Sequence, residues 1–261
     1  MASLRRFLRQ YFAIDTAQAR AAFRSRKVFD RNLAAFSPRA GEAAGFPILK
    51  LQPMLLDRQA QAGQGSGAYF HQDLLVARRV FEARPAAHVD IGSRVDGFVA
   101  HVAVFMHVTV LDIRPLECDA PNITFRQADL MSPPADLIGA CQSVSCLHAL
   151  EHFGLGRYGD PLDPLGHLKG FAAVCQLVAP GGTLYLSGPI GAEQGVVFDA
   201  HRVWGLPTLL KLAGEHGMRV QRLSVVDDDG RLRDDVPLTD PGIASSFGLR
   251  FGCGIVEMVR E

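Results

Sequence analysis

Apolar positions recur along this chain with two periods, and the alternation between them marks out the elements. In residues 1–50 the apolar side chains fall at helical intervals, first Phe7, Tyr11 and Ile14 and then Phe23, Val28 and Phe29, which predicts one or two amphipathic helices. Residues 61–67 are rich in glycine, glutamine and serine and predict a joint. Beyond it Phe70, Leu74, Ala77 and Phe81 share a helical face. Short apolar runs at 88–91, 108–113, 123–125 and 142–146 predict strands, with a helix over 95–105 after the first. Asp163 is expected to cap a helix over 164–178 whose inner stripe is Leu165, Leu168, Ala172 and Cys175. That helix should stop at Pro180-Gly181-Gly182, from which a strand over 183–187 emerges. A helix over 207–216 closed by Gly217, and two β segments near 218–226 and 249–259, complete the pattern.

Strands that alternate with helices predict an α/β protein with a parallel, doubly wound sheet. Two final strands separated by a long loop predict a terminal antiparallel pair. The division expected is a basic helical extension and joint at 1–68, followed by one domain at 69–261. Composition agrees with a globular enzyme: 261 residues, 48% hydrophobic and 21% charged. Twenty-seven basic residues balance 27 acidic ones, so no global field would attract nucleic acid. The extension is the exception, with ten Lys/Arg against three Asp/Glu in residues 1–50. The five cysteines, Cys118, Cys141, Cys146, Cys175 and Cys253, form no C-x-x-C pair, which points to reduced thiols. Neither a membrane-length apolar run nor a secretory signal is found, and the expected location is the cytoplasm.

Open parallel sheets bind ligands at the carboxyl ends of their strands. There the chain places Asp90 and Gly92 after the first strand, Asp112 after the second and Asp129 after the third. Gly92 suits a sharp turn beside a ligand. Asp112 can accept from both hydroxyls of a ribose and Asp129 from an adenine amine. Any one of these acids also suits a helix cap or turn; three at successive strand tips point to a nucleoside. Asp112 would repel a 2′-phosphate, and no G-x-G-x-x-G follows the first strand, so nicotinamide cofactors are disfavoured.

The segments VDIGSRVDGF (89–98), VLDIRPLE (110–117), ADLM (128–131), CLHALEHFGLGRYGD (146–160), APGGTLYLSGPIG (179–191) and FDAHRVW (198–204) resemble class I S-adenosylmethionine-dependent methyltransferases in order and spacing. With YFHQDL (69–74), they resemble more narrowly a methyltransferase-like family known as a domain of unknown function. The resemblance spans about residues 69–230. It implies a Rossmann-like, seven-stranded sheet and bound S-adenosylmethionine, held by Asp90, Gly92, Ser93, Arg94, Asp112, Ile113, Asp129, Leu130 and Cys146. One departure stands out. The family's glycines two, four and six residues after the first acid are here Gly92, Arg94 and Asp96, with Gly97 one place late.

The stretch 148–160 carries the expected chemistry. His148, Glu151 and His152 match H-x-x-E-H, the spacing of a helical zinc site, which would still need a third protein ligand. On the methyltransferase reading they face an acceptor, with His152 as first choice of general base and His148 and His201 after it. Asp160 is a further proton-handling candidate. Arg157, Tyr158, Arg202 and His71 are candidates for holding the acceptor, a small or saccharide-like molecule. The functional expectation is methyl transfer to oxygen or nitrogen. A metal-dependent hydrolase and a non-catalytic binding protein of the same fold are the alternatives.

Overall fold

The structure is a computed structural model that describes residues 11, 15–42, 47–63 and 65–261. Phe7 and Ile14 of the expected first helix lie outside the described residues. The described chain divides into two compact units between Gln64 and Gly65. In the first, helix α1 (Thr16–Phe36) begins at Asp15, whose carboxylate accepts from the backbone N–H groups of Ala17 and Gln18.

The second unit is built on an eight-stranded sheet in the order β3-β2-β1-β4-β5-β10-β8-β9. Its strands are β1 (His88–Ile91), β2 (Val108–Asp112), β3 (Ile123–Gln127), β4 (Cys141–Leu147), β5 (Val178–Ile190), β8 (Met218–Val226), β9 (Leu232–Arg233) and β10 (Gly252–Arg260). Pairs among β1 to β5 are parallel, and β10 runs antiparallel between β5 and β8. The expected seven strands are all present; the eighth is the two-residue β9, which turns back onto β8. A separate ribbon of β6 (Gly195–Val197) and β7 (His201–Val203) rises beyond the end of β5, where the sequence predicted no strand.

Strand periodicity sends alternate residues to two apolar layers. On one face Val108 and Val110 of β2 pack with Val76 and Val80 of α2 (Ala68–Ala83) and with Phe98 and Val102 around α3 (Ala100–Ala103). On the other face Leu111 of β2 and Val256 of β10 pack with Phe171, Val174 and Leu177 of α4 (Gly166–Leu177) and with Leu206 and Leu209 of α5 (Leu206–Glu215). β4 looks too polar for a central strand because Ser143 and Ser145 are buried, yet both bond the ring of the buried His88, at 2.8 Å each. Each buried polar group there has a partner, which removes the cost of burying it.

Two helices differ from expectation. α4 starts at Gly166, and Asp163 accepts from the Leu165 N–H (2.9 Å) one turn earlier. Its buried face includes Gly170, Phe171, Val174 and Leu177 together with Cys175 of the expected stripe, while Leu165 and Leu168 are exposed. The helix expected over 95–105 opens as a π-turn, Val95–Val99, before the short α3.

Candidate active site

The site lies at the carboxyl ends of β1, β2 and β4, and its foundation is hidden beneath it. Asp90, fully buried at the end of β1, accepts from Ser145 Oγ at 2.5 Å and from Ser93 Oγ at 2.6 Å. Burial raises its pKa to about 6 against the opposing pull of those hydroxyls. Because Ser145 donates to Asp90, it accepts from His88 Nε2–H, and Ser143 then donates to His88 Nδ1. Burial lowers the pKa of His88 to about 3, so its ring is a neutral link in this chain.

Above Asp90 the chain turns at Gly92, φ +66°. A Cβ there would stand 2.9 Å from that of Ala149, so the left-handed turn and the contact with the β4 loop both require glycine. The displaced glycine has an equally specific reason. Gly97 kinks the Val95–Val99 turn, with φ −115° and ψ −108° outside the helical range. A Cβ on Gly97 would lie 2.5 Å from Asp73 Oδ2, so α2 can set a carboxylate against this backbone only where the side chain is missing.

A cavity of about 320 Å³ opens at these strand tips. Gly92, Arg94, Asp112, Ile113, Asp129 and Leu130 line it, six of the nine residues expected to bind cofactor. Asp90, Ser93 and Cys146 are buried and do not line it. Asp112 is paired with Arg114, Nη2 to Oδ2 at 2.6 Å and Nε to Oδ1 at 3.0 Å, and the Arg114 guanidinium lies over the ring of Tyr158 at 4.5 Å. Asp129 uses Oδ1 to accept from the Met131 N–H (2.8 Å).

A second cavity, about 380 Å³, is lined by Tyr69, His148, Glu151, His152, Arg157, Tyr158, His201 and Phe251 among others. The two cavities share Tyr69, His148, His152 and Tyr158. Four of the five expected catalytic residues thus line the second cavity. The fifth, Asp160, lines the first, and its carboxylate accepts from the N–H groups of Gly154, Gly156 and Tyr158, organising the 153–160 loop. Among the expected acceptor contacts, Arg157 and Tyr158 line the second cavity. Arg202 is buried and donates to the carbonyls of Phe153 (2.6 Å) and Glu151 (3.3 Å), stapling the loop rather than lining the cavity. His71 lines neither cavity and packs edge-on to Phe70. Ser187 and Phe251 were not among the expected site residues, and only the fold gathers them, Ser187 beside Gln72 and Phe251 at the second cavity.

His148 and His152 do not share a helical face. His148 has φ +50°, and only the 3-10 turn Leu150–His152 follows, so the spacing behind the zinc reading has no helix beneath it. Among the described residues no three His, Cys, Asp or Glu side chains are grouped closely enough to hold a metal ion. Burial sets the charge of the floor. It raises the pKa of Glu151 to about 8 and lowers those of His148 and His152 to about 4, leaving all three uncharged at neutral pH. His201 is shifted down by the same cause. Glu151 Oε2 is buried without a hydrogen-bond partner in the structure, while Oε1 lies 3.7 Å from His152 Nε2.

A family model described as Caenorhabditis protein of unknown function, DUF268, matches residues 126–214. No curated protein matches the sequence. Among solved structures, the [4+2]-cyclase SpnF superposes with a TM-score of 0.52 at 13% identity, over 76% of this chain and 85% of the cyclase. A Haemonchus contortus phosphoethanolamine N-methyltransferase 2, in complex with phosphomonomethylethanolamine and S-adenosylhomocysteine, also gives 0.52, at 10% identity over 78% of this chain and 56% of the other. The sheet order, the acids at its strand tips and these superpositions agree: the chain has the class I S-adenosylmethionine-dependent methyltransferase fold, and within it residues 126–214 carry the DUF268 pattern.

Proposed function

We propose that this protein transfers a methyl group from S-adenosylmethionine to an oxygen or nitrogen nucleophile of a small or saccharide-like acceptor. The observation that carries the reading is the junction of two cavities at Tyr69, His148, His152 and Tyr158, one rimmed by strand-tip acids and the other floored by imidazoles and a buried carboxyl. The first cavity fits the cofactor chemically. Its volume is within the range of about 300–1,000 Å³ usual for small-molecule sites. Asp112 would accept from ribose hydroxyls, Asp129 from the adenine amine, and Gly92 lets the backbone come close. The pairing of Asp112 with Arg114 means that the ribose competes with, or shares, that guanidinium.

S-adenosylmethionine supplies an electrophilic methyl whose thioether leaving group needs no acid. The chain's own task is alignment of the nucleophile and removal of its proton. Neutral imidazoles at the junction suit the second part, because a base with its lone pair available need not first lose a proton. The Glu151 carboxyl, uncharged and lacking a partner at Oε2, suits an acceptor hydroxyl or amine on the cavity floor. Among the described residues, Arg157 lines the second cavity together with Asp227 and Asp228, a balance that disfavours a polyanionic acceptor.

The test is methyl-labelled S-adenosylmethionine incubated with the protein and a pool of small metabolites. Label should pass to a low-mass product as S-adenosylhomocysteine accumulates in equal amount. Binding of S-adenosylhomocysteine with no transfer to any pool would instead support a non-catalytic protein of this fold.

A further inference from the structure

Buried polar contacts reach the cavity junction from Gln72 and Asp73 of α2, two residues to which the proposed chemistry assigns no role. Gln72 is 1% exposed and its side chain meets three groups. Its Nε2 donates to Asp73 Oδ1 at 3.0 Å. Its Oε1 accepts from Ser187 Oγ at 2.5 Å and faces His148 Nδ1 at 2.7 Å. Asp73 fixes which way this amide points, since a carboxylate can only accept and so must face the NH₂ group. The amide oxygen is then turned to His148, and a ring nitrogen 2.7 Å from a carbonyl oxygen must carry the proton.

We propose that Asp73 and Gln72 are positioning residues that lock His148 as its Nδ1–H tautomer, making Nε2 the proton acceptor at the junction of the two cavities. The inference rests on the methyl-transfer reading for its purpose but not for its geometry. Three further observations fit it. Tyr69, one turn before Gln72 and Asp73 on α2, packs its ring against the imidazole, with centroids 4.7 Å apart. His148 sits at φ +50°, a conformation costly for a side chain of its size, which the surroundings must hold in place. Asp73 is in turn seated against Gly97, so the late glycine of the loop provides the room for the carboxylate that orients the amide. By contrast, His152 donates through Nδ1 to the Ala200 carbonyl at 2.7 Å, and its Nε2 faces Glu151. The same tautomer there points the lone pair at a carboxyl group rather than at the junction alone. His148 therefore takes the base role that the sequence assigned first to His152.

Nitrogen-15 spectra of histidine-labelled protein read the tautomer directly, with His148 assigned by loss of its signals in His148→Gln. In the wild-type protein without ligand, His148 should show a protonated Nδ1 and a lone-pair Nε2. Gln72→Leu should invert the ratio toward the Nε2–H form that an unconstrained imidazole prefers. Gln72→Glu, which keeps the accepting oxygen, should retain Nδ1–H. A wild-type His148 found mainly as Nε2–H would overturn the proposal, whether or not any variant folds. So would an unchanged Nδ1–H form in Gln72→Leu. Because no cofactor is added, a protein that shows the lock but transfers no methyl would refute the methyl-transfer reading and leave the device standing.

Discussion

Glu151 enters folding as a carboxylate and is uncharged in the folded state at neutral pH, and that difference is measurable. Its folded pKa, about 8, lies above the value of 4.5 for an unperturbed glutamate. Between those values the unfolded chain has lost the proton and the folded chain has kept it, so stability falls as pH rises. The contribution is whole below the unfolded pKa and is lost as pH climbs to the folded one. The limiting slope is about 1.4 kcal/mol per pH unit. Thermal denaturation of Glu151→Gln from pH 5 to 8 should show a shallower decline than the wild-type protein; parallel curves would mean that the carboxyl is not held neutral. His148 and His152 act in the opposite sense. Their folded pKa values, about 4, lie below the ordinary histidine value of 6.5, so they stay neutral while the unfolded chain takes up protons, and stability falls as pH drops from about 6.5 toward 4. Replacing His148 with Gln should flatten that acid limb. None of these shifts could be read from the sequence, which names the residues but not their burial. The spacing of His148, Glu151 and His152 suggested a helix where the chain makes a left-handed step and a 3-10 turn.

At the scale of elements, the readable parts were those with strong periodicity or explicit turn chemistry. α5, β2, β8 and the stop at Gly217 follow from apolar spacing and glycine placement, whereas α2 forms where expected but turns Phe70, Leu74 and Phe81 of its expected stripe outward and buries Leu75, Val76 and Val80 with Ala77. The inner face of α4 did not follow, because Pro164 and Asp163 imitate a helix start two residues early and rotate the inferred stripe. Phe171, absent from that stripe, is fully buried at its centre. Phe171→Ala should destabilise the protein by about 3–5 kcal/mol in denaturant unfolding, against little change for Leu165→Ala on the exposed side. The β6–β7 ribbon was equally unreadable, since three-residue strands leave almost no periodic signal, although the ribbon delivers His201 to the second cavity. The glycine loop shows how a departure from a family pattern can be a coordinated change. Gly97, the π-turn and Asp73 fit one another, so Gly97→Ala should disturb Asp73 and through it His148. Its signature would be a shift of the His148 nitrogen signals together with a loss of stability of roughly 1–3 kcal/mol. Normal stability and an unmoved His148 in that variant would break the link between the loop and α2.

For the whole molecule, the alternation of helices and strands and the two closing strands predict a parallel sheet with an antiparallel return, and the structure has both. The sequence therefore disclosed the class of fold and the ends of the strands that matter. It could not disclose that two cavities meet, because their walls come from α2, the tips of β1, β2 and β4, the 153–160 loop and the start of β10, up to 186 positions apart between Gly67 and Cys253. The central claim is that the first cavity binds S-adenosylmethionine through its strand-tip acids. Calorimetric titration with S-adenosylhomocysteine tests it without knowledge of the acceptor. The prediction is one-to-one binding that weakens roughly 10- to 100-fold in Asp112→Ala, as expected for lost hydrogen bonds to a charged group. No heat of binding at millimolar ligand, or affinity unchanged by Asp112→Ala, would contradict it.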